Sequence, residues 1–144
     1  MQTLTPDRDK GQACAQGFDR EAWFAELRAF LGNGAEDMIA LEFKEQKYSV
    51  EKHAARLQTI ADKWEELTAI MREEIPSAAF IASLLDKIGC PQTVEAWGLS
   101  REILPMTFKA TKDIRDKYVL SRLAFDLGIL DELAAACGTE EREA

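Results

Sequence analysis

Apolar residues recur every three or four positions along most of the chain, which is the spacing of one face of an α-helix. The clearest case is the segment from Ser49 to Ile75, which contains no glycine or proline. One row of positions in it is spaced alternately by four and three residues and is called the seam below: Val50, Ala54, Leu57, Ala61, Trp64, Thr68, Met71 and Ile75. We predict one long helix here, capped by Ser49, ended by Pro76, and burying Trp64 while Glu66 faces solvent.

Shorter periodic segments flank this helix, and residues that start or stop helices bound them. Asp19 and Ser77 are predicted N-caps, and Gly89 is a predicted stop. A helix that starts near Ser100 would place Pro105 in its first turns, so it either begins nearer Leu104 or has an irregular first turn. A further helix is predicted over residues 114–127.

No segment alternates apolar and polar residues over the length of a strand, so the predicted fold class is all-α. We expect a helical bundle-like domain of about six helices with one long central helix. Residues 1–17 are polar and non-periodic and are predicted to be a flexible leader. Residues 18–137 form the predicted helical domain, and residues 138–144 an acidic tail that frays.

The charge of the chain argues against two classes of partner. Its 144 residues carry 18 Lys and Arg against 26 Asp and Glu, a formal net charge of −8. Nucleic acids and anionic membranes are held mainly by clustered Lys and Arg, so neither partner is expected. The polar N-terminus lacks the apolar stretch of a signal peptide, and no apolar run is long enough to span a membrane. We therefore expect a cytoplasmic protein.

The residues with reactive or metal-binding side chains are few. The single histidine, His53, excludes a His-rich metal site, and we expect it to be an ordinary surface residue beside the seam. The three cysteines, Cys14, Cys90 and Cys137, lie far apart and form neither a disulfide framework nor a zinc knuckle. Neither a Gly-rich phosphate loop nor a Gly-x-Ser-x-Gly nucleophile motif occurs. From these residues alone, the chain is a helical domain without a visible active site.

Three motifs follow one another in the second half of the chain. Residues 84–91 read LLDKIGCP, residues 94–102 read VEAWGLSRE, and residues 114–118 read IRDKY. In order and spacing they resemble the C-terminal helical region of sn-glycerol-1-phosphate dehydrogenases, within the iron-containing alcohol dehydrogenase superfamily. In that family a helix ends in a Gly-x-Pro turn, a Glu-x-x-Gly-Ile/Leu-Ser-Arg turn follows, and the next helix carries Ile-Arg-Asp-Arg-Tyr. Lys117 and Val119 stand where the family usually has Arg and Thr.

The resemblance implies an oxidoreductase that transfers hydride between NAD(P)H and the ketone of dihydroxyacetone phosphate, with a divalent metal polarising the carbonyl. A whole member has a Gly-rich nucleotide-binding domain and binds the metal through one Asp and two His, all preceding the matched region. His53 lacks the family's His-Gly-Glu context. No catalytic, cofactor-binding or metal-binding residue is therefore assigned here, and the chain would supply part of one cleft wall. We do not expect it to be catalytic alone.

Arg115 is the one residue for which the resemblance suggests a contact. It either pairs with a nearby carboxylate such as Asp116 or Glu102, or it faces the cleft or the nucleotide-binding domain and meets a phosphate or carboxylate. The alternative function is a non-catalytic helical interaction module. In that case the seam would dock a partner protein or a second copy of the chain.

Overall fold

The computed structural model describes residues 5–139, and the prediction of an all-α, bundle-like fold is confirmed because these residues contain no strand. Within this part of the chain none of the helices has the length and apolar character that would let it cross a membrane. The α-helices of the described residues are α1 (Arg8–Gly17), α2 (Arg20–Leu31), α3 (Ala35–Glu45), α4 (Val50–Asp62), α5 (Trp64–Glu74), α6 (Ala78–Lys87), α7 (Leu104–Ala110), α8 (Leu120–Asp126) and α9 (Leu130–Thr139).

The predicted helix starts are confirmed at three capping residues. The side chains of Asp19, Ser49 and Ser77 each accept a hydrogen bond from the backbone N–H three residues later, at 3.0, 3.2 and 3.1 Å. These bonds satisfy donors that have no partner inside a helix. Ahead of Pro105 both predicted alternatives occur together, because a 3₁₀ turn over Arg101–Ile103 leads into α7 at Leu104.

The predicted long helix consists of α4 and α5, which meet at Lys63. The φ and ψ angles of Lys63 are −109° and 13°, outside the helical range, although its N–H still bonds to the carbonyl of Thr59 at 3.0 Å. Most of the seam is not buried: Val50 and Ala54 are exposed, and Trp64 and Met71 are only half-buried. Leu57 is buried, whereas Ile75 at the far end is 56% exposed.

The prediction of a flexible leader is wrong for residues 8–17, which form α1. This helix packs against α4 and α8 and buries Gly11 and Ala15. A Cβ atom on Gly11 would lie 2.5 Å from the carbonyl oxygen of Asp126, so the glycine permits the close contact. Small buried residues give no hydrophobic period, which is why the pattern missed this helix. Of the rest of the predicted leader, residues 5–7 have no regular secondary structure and residues 1–4 lie outside the described residues.

Two further boundaries differ from the prediction. The helix predicted over residues 114–127 starts only at Leu120, and residues 111–119 form a series of turns and bends. At the C-terminus, α9 continues to Thr139 instead of ending near Cys137. Of the predicted acidic tail, residues 140–144 lie outside the described residues.

The core consists of two apolar clusters, one centred on α4, α8 and α9 and the other on α2 and α3. Phe18 and Tyr48 contact both clusters and stack on each other with ring centroids 4.4 Å apart. None of the residues 61–109 is buried, although this stretch is rich in apolar side chains. Large exposed apolar residues concentrate there, notably Ile70, Ile75, Phe80, Ile81, Leu84, Ile88, Trp97 and Leu99.

Candidate functional site

The most polar part of the interior is centred on the carboxylate of Asp113, which is 2% exposed. It accepts hydrogen bonds from the indole N–H of Trp23 at 2.8 Å and the hydroxyl of Tyr48 at 2.5 Å. It also accepts bonds from Nζ of Lys112 at 3.0 Å and Nη2 of Arg122 at 2.5 Å. Burial alone would raise the pKa of Asp113, but the charges of Lys112 and Arg122 outweigh it and hold this pKa below its usual value.

Aromatic rings surround the ammonium group of Lys112. Its Nζ lies 3.3 Å from the centroid of the Trp23 ring and within 6 Å of the rings of Phe18, Tyr48 and Phe125. Such rings attract a cation through their faces but do not replace its hydration. Burial therefore lowers the pKa of Lys112 to about 7, despite the opposing charge of Asp113.

A second buried carboxylate, that of Asp126, lies at the end of α8 and is fully buried. Arg56 donates to both of its oxygens, at 2.9 and 3.0 Å, and the hydroxyl of Tyr118 donates at 2.8 Å. The bidentate geometry is the strong form of this ion pair. Although about half of Tyr118 is exposed, lost hydration at its hydroxyl and the charge of Asp126 raise the pKa of this phenol.

The prediction of a surface position for His53 is wrong, because its side chain is 1% exposed. Its Nε2 lies 3.5 Å from Oδ1 of Asp126, and neither ring nitrogen has a hydrogen-bond partner in the described part of the chain. Burial lowers the pKa of His53, although Asp126 acts in the opposite direction. The buried face of α4 consists of His53, Leu57 and Ile60, which are spaced four and three residues apart, so it differs from the predicted seam.

A third buried carboxylate, on Glu42, holds the turn that follows α3. It accepts the backbone N–H groups of Lys47 at 2.7 Å and Tyr48 at 3.2 Å. Burial raises the pKa of Glu42 despite these two bonds. This turn also fixes the ring of Tyr48 above Arg122, whose guanidinium carbon lies 4.7 Å from the ring centroid.

The wall of a cavity of about 300 Å³ includes Lys112, together with Lys109 and Cys14. An amine with a pKa near 7 has the protonation behaviour of a base or nucleophile. The Lys112 side chain is only 1% exposed, however, and its ammonium group is enclosed by Asp113 and Trp23. Its observed contacts hold the turn over residues 111–119 in place, and no reaction is assigned to it.

The donor set does not fit the metal that the resemblance implies for the whole enzyme. Across residues 5–139 no group of three or more His, Cys, Asp or Glu side chains could hold a metal ion. Asp113 and Asp126 are already saturated by cationic and hydroxyl partners. No step is therefore derived through a metal in this chain.

The first two of the three sequence motifs contain turns whose shape depends on particular residues: the first covers the end of α6 and the turn at Gly89, and the second forms the turns around Gly98 and Ser100. Gly89 and Gly98 both have positive φ, at 67° and 72°, where a side chain would be strained. Ser100 caps the 3₁₀ turn through the N–H of Glu102. The carboxylate of Glu95 pairs with Nε of Arg101 at 2.9 Å and closes the turn.

Arg115 lies in the turns before α8, and its side chain is exposed. Among the described residues it pairs with neither Asp116 nor Glu102, and Asp116 instead faces Lys117 at 3.6 Å. The backbone carbonyl of Arg115 accepts a hydrogen bond from Nζ of Lys47 at 2.6 Å. This bond fixes the backbone of the turn, while the Arg115 side chain is exposed to solvent. A cleft or interdomain contact for Arg115 stays a prediction.

Sequence reasoning missed the buried charges, although α8 carries a signal for them. Arg122 and Asp126 are four residues apart in an otherwise apolar run, which places two charges on one face of a buried helix. They do not pair with each other, because Arg122 pairs with Asp113, nine residues earlier, and Asp126 pairs with Arg56, seventy residues earlier. Comparisons with protein-family models, curated proteins and solved structures found no match to this chain.

Proposed function

We propose that this chain is the C-terminal helical domain of a glycerol-1-phosphate dehydrogenase-like, NAD(P)- and metal-dependent oxidoreductase, and that it is not catalytic alone. In the whole enzyme the reaction is the reduction of dihydroxyacetone phosphate. The observation that carries the proposal is the unburied apolar surface of residues 61–109, which contains the first two matched motifs. An apolar surface of this extent is typical of a contact with another domain or protein.

The turn geometry supports the same proposal. Gly89, Gly98, Ser100 and the Glu95–Arg101 pair each have a structural role in the motif that carries the resemblance. These roles give a physical reason for those residue types at that spacing. The motif therefore specifies a particular turn, beyond a general helical period.

Reconstitution tests the proposal. The chain is co-expressed with the preceding part of an sn-glycerol-1-phosphate dehydrogenase, comprising the nucleotide-binding domain and the helices that bear the metal ligands. NADPH oxidation is followed with dihydroxyacetone phosphate as substrate. We expect a stable complex and substrate-dependent oxidation. A chain that neither associates with this part nor supports turnover contradicts the proposal.

Arg115 supplies a sharper version of that experiment. Because its side chain is exposed and makes no ion pair within the described residues, Arg115→Ala should leave the melting temperature unchanged. If Arg115 meets substrate or the other domain, kcat/KM falls by tenfold or more, about 1.4 kcal/mol of transition-state stabilisation. Lys44→Ala, which removes another exposed cation, is the matched control and should retain full activity.

The alternative function is a non-catalytic interaction module that docks a partner protein or a second copy, and the exposed face of α6 favours it. Light scattering of the purified chain separates the two functions. A tight dimer that buries Phe80 and Ile81, with no affinity for a nucleotide-binding domain, favours the module.

A further inference from the structure

A small cavity of about 130 Å³ lies between the turn after α3, helix α4 and the start of α8. Four cationic side chains from these separate segments line it: Lys47, Arg56, Lys117 and Arg122. Two carboxylates, Glu45 and Asp116, and the phenol of Tyr118 complete the lining. In a chain with a net charge of −8, such a convergence of cations is local and specific.

Three of the four cations at the cavity pair with a carboxylate, and the buried carboxylate of Glu42 also acts on Lys47 and Arg122. Arg56 is matched by Asp126, and Lys117 faces Asp116 at 3.6 Å. Arg122 must share the single carboxylate of Asp113 with Lys112. The carboxylate of Glu45 lies 3.8 Å from Nζ of Lys44, a residue that does not line the cavity.

Lys47 and Arg122 are the two cations that lack full compensation. Nζ of Lys47 bonds to the carbonyl oxygen of Arg115, and no carboxylate forms an ion pair with it among the described residues. Burial and the charge of Arg122 lower the pKa of Lys47, against the opposing charges of nearby carboxylates, namely those of Asp113, Glu42 and Glu45. In Arg122, which is 3% exposed, Nε and Nη1 have no hydrogen-bond partner in the described part of the chain.

We propose that this cavity binds a tetrahedral oxyanion of the phosphate or phosphomonoester class. An oxyanion there would lie beside a guanidinium with two unpartnered nitrogens and would offer acceptors to Lys47 and Lys117, the arrangement that recognises phosphate groups. The volume is below the roughly 300–1,000 Å³ of sites for drug-sized ligands, which favours a single anionic group over a nucleotide. The inference is independent of the proposed function, because it uses only residues of this chain.

The test measures binding of inorganic phosphate to the purified chain by isothermal titration calorimetry. Melting temperatures in phosphate and in sodium chloride of equal ionic strength provide a second readout. We expect saturable binding and a higher melting temperature in phosphate. Methyl phosphate distinguishes the source of the anion: binding at least as tight as that of phosphate assigns the site to a phosphomonoester, and binding of inorganic phosphate only assigns it to the free ion.

Three variants locate the binding. Lys117→Gln removes a charge whose side chain is 75% exposed, so the fold should survive, and phosphate binding should weaken about fivefold or more. Lys47→Met should weaken it further, and Lys44→Gln, outside the cavity, should leave it unchanged. The proposal is overturned if the wild type shows no saturable binding and no preference for phosphate over chloride. It is equally overturned if Lys44→Gln weakens binding as much as Lys117→Gln.

Discussion

The ammonium group of Lys112 lies 3.3 Å from the centroid of the Trp23 ring, and both side chains donate to the carboxylate of Asp113. A cation, an aromatic ring and an anion are thus packed together in the interior, where water is excluded. The ion pair and the ring attract the charge, but the lost hydration outweighs them and brings the pKa of Lys112 to about 7.

This shift predicts how stability depends on pH. The pKa of Lys112 falls from its ordinary 10.5 to about 7 on folding, so between these values the unfolded chain binds a proton that the folded chain lacks. The free energy of unfolding should therefore rise with pH from about 7 towards 10.5, by up to about 1.4 kcal/mol per unit. Chemical denaturation at several pH values measures this slope.

Two variants assign that slope to Lys112. Lys112→Met removes the titrating group and should flatten the profile. Lys109→Met removes a neighbouring lysine that is paired with Asp131 near the surface, and it should leave the slope in place. Equal slopes in the wild type and Lys112→Met would show that burial of Lys112 does not control the pH dependence.

A pair of glycines in α1 tests the packing of this helix. Gly11→Ala would place a Cβ atom 2.5 Å from the carbonyl oxygen of Asp126 and 2.9 Å from Cδ2 of Leu57, so we expect a loss of roughly 1–3 kcal/mol. Gly17→Ala is the control, because no atom lies within 4 Å of its added Cβ. Thermal or chemical denaturation compares the two. Similar stabilities for both variants would mean that α1 does not pack against the core.

The buried pair of Asp126 and Arg56 should contribute far more than an exposed one. Asp126→Asn leaves Arg56 without its anionic partner, and the expected loss of stability is about 3–5 kcal/mol. Glu66→Gln breaks the exposed pair with Lys63 and should leave stability unchanged within the error of measurement. If Asp126→Asn unfolds at the same denaturant concentration as the wild type, the network does not stabilise this fold.

Helix positions followed from the sequence where local chemistry determines them. The caps at Asp19, Ser49 and Ser77 are set by bonds within three residues, and the positive φ of Gly89 is a backbone property of glycine. These features are encoded locally. For that reason the all-α fold and several helix boundaries could be predicted from the chain alone.

Several partners of the buried charges could not be predicted, because they are distant in sequence. Asp113 accepts a hydrogen bond from Trp23, which is 90 residues away in the sequence, and Asp126 pairs with Arg56, which is 70 residues away. A hydrophobic period treats the charged residues among them as solvent-facing, and it likewise placed His53 at the surface. The turns over residues 111–119 replace only the first part of the predicted helix, next to the buried side chains of Lys112 and Asp113, which no local signal indicates.

Hydrogen exchange of α6 tests most directly the central claim that residues 61–109 form the contact surface for the rest of the enzyme. The measurement compares the amides of Ala78–Lys87 in the isolated chain and in its complex with the nucleotide-binding part of an sn-glycerol-1-phosphate dehydrogenase. We expect fast exchange in the isolated chain, since no residue of α6 is buried, and strong protection in the complex. Exchange that is identical in both samples would contradict the claim.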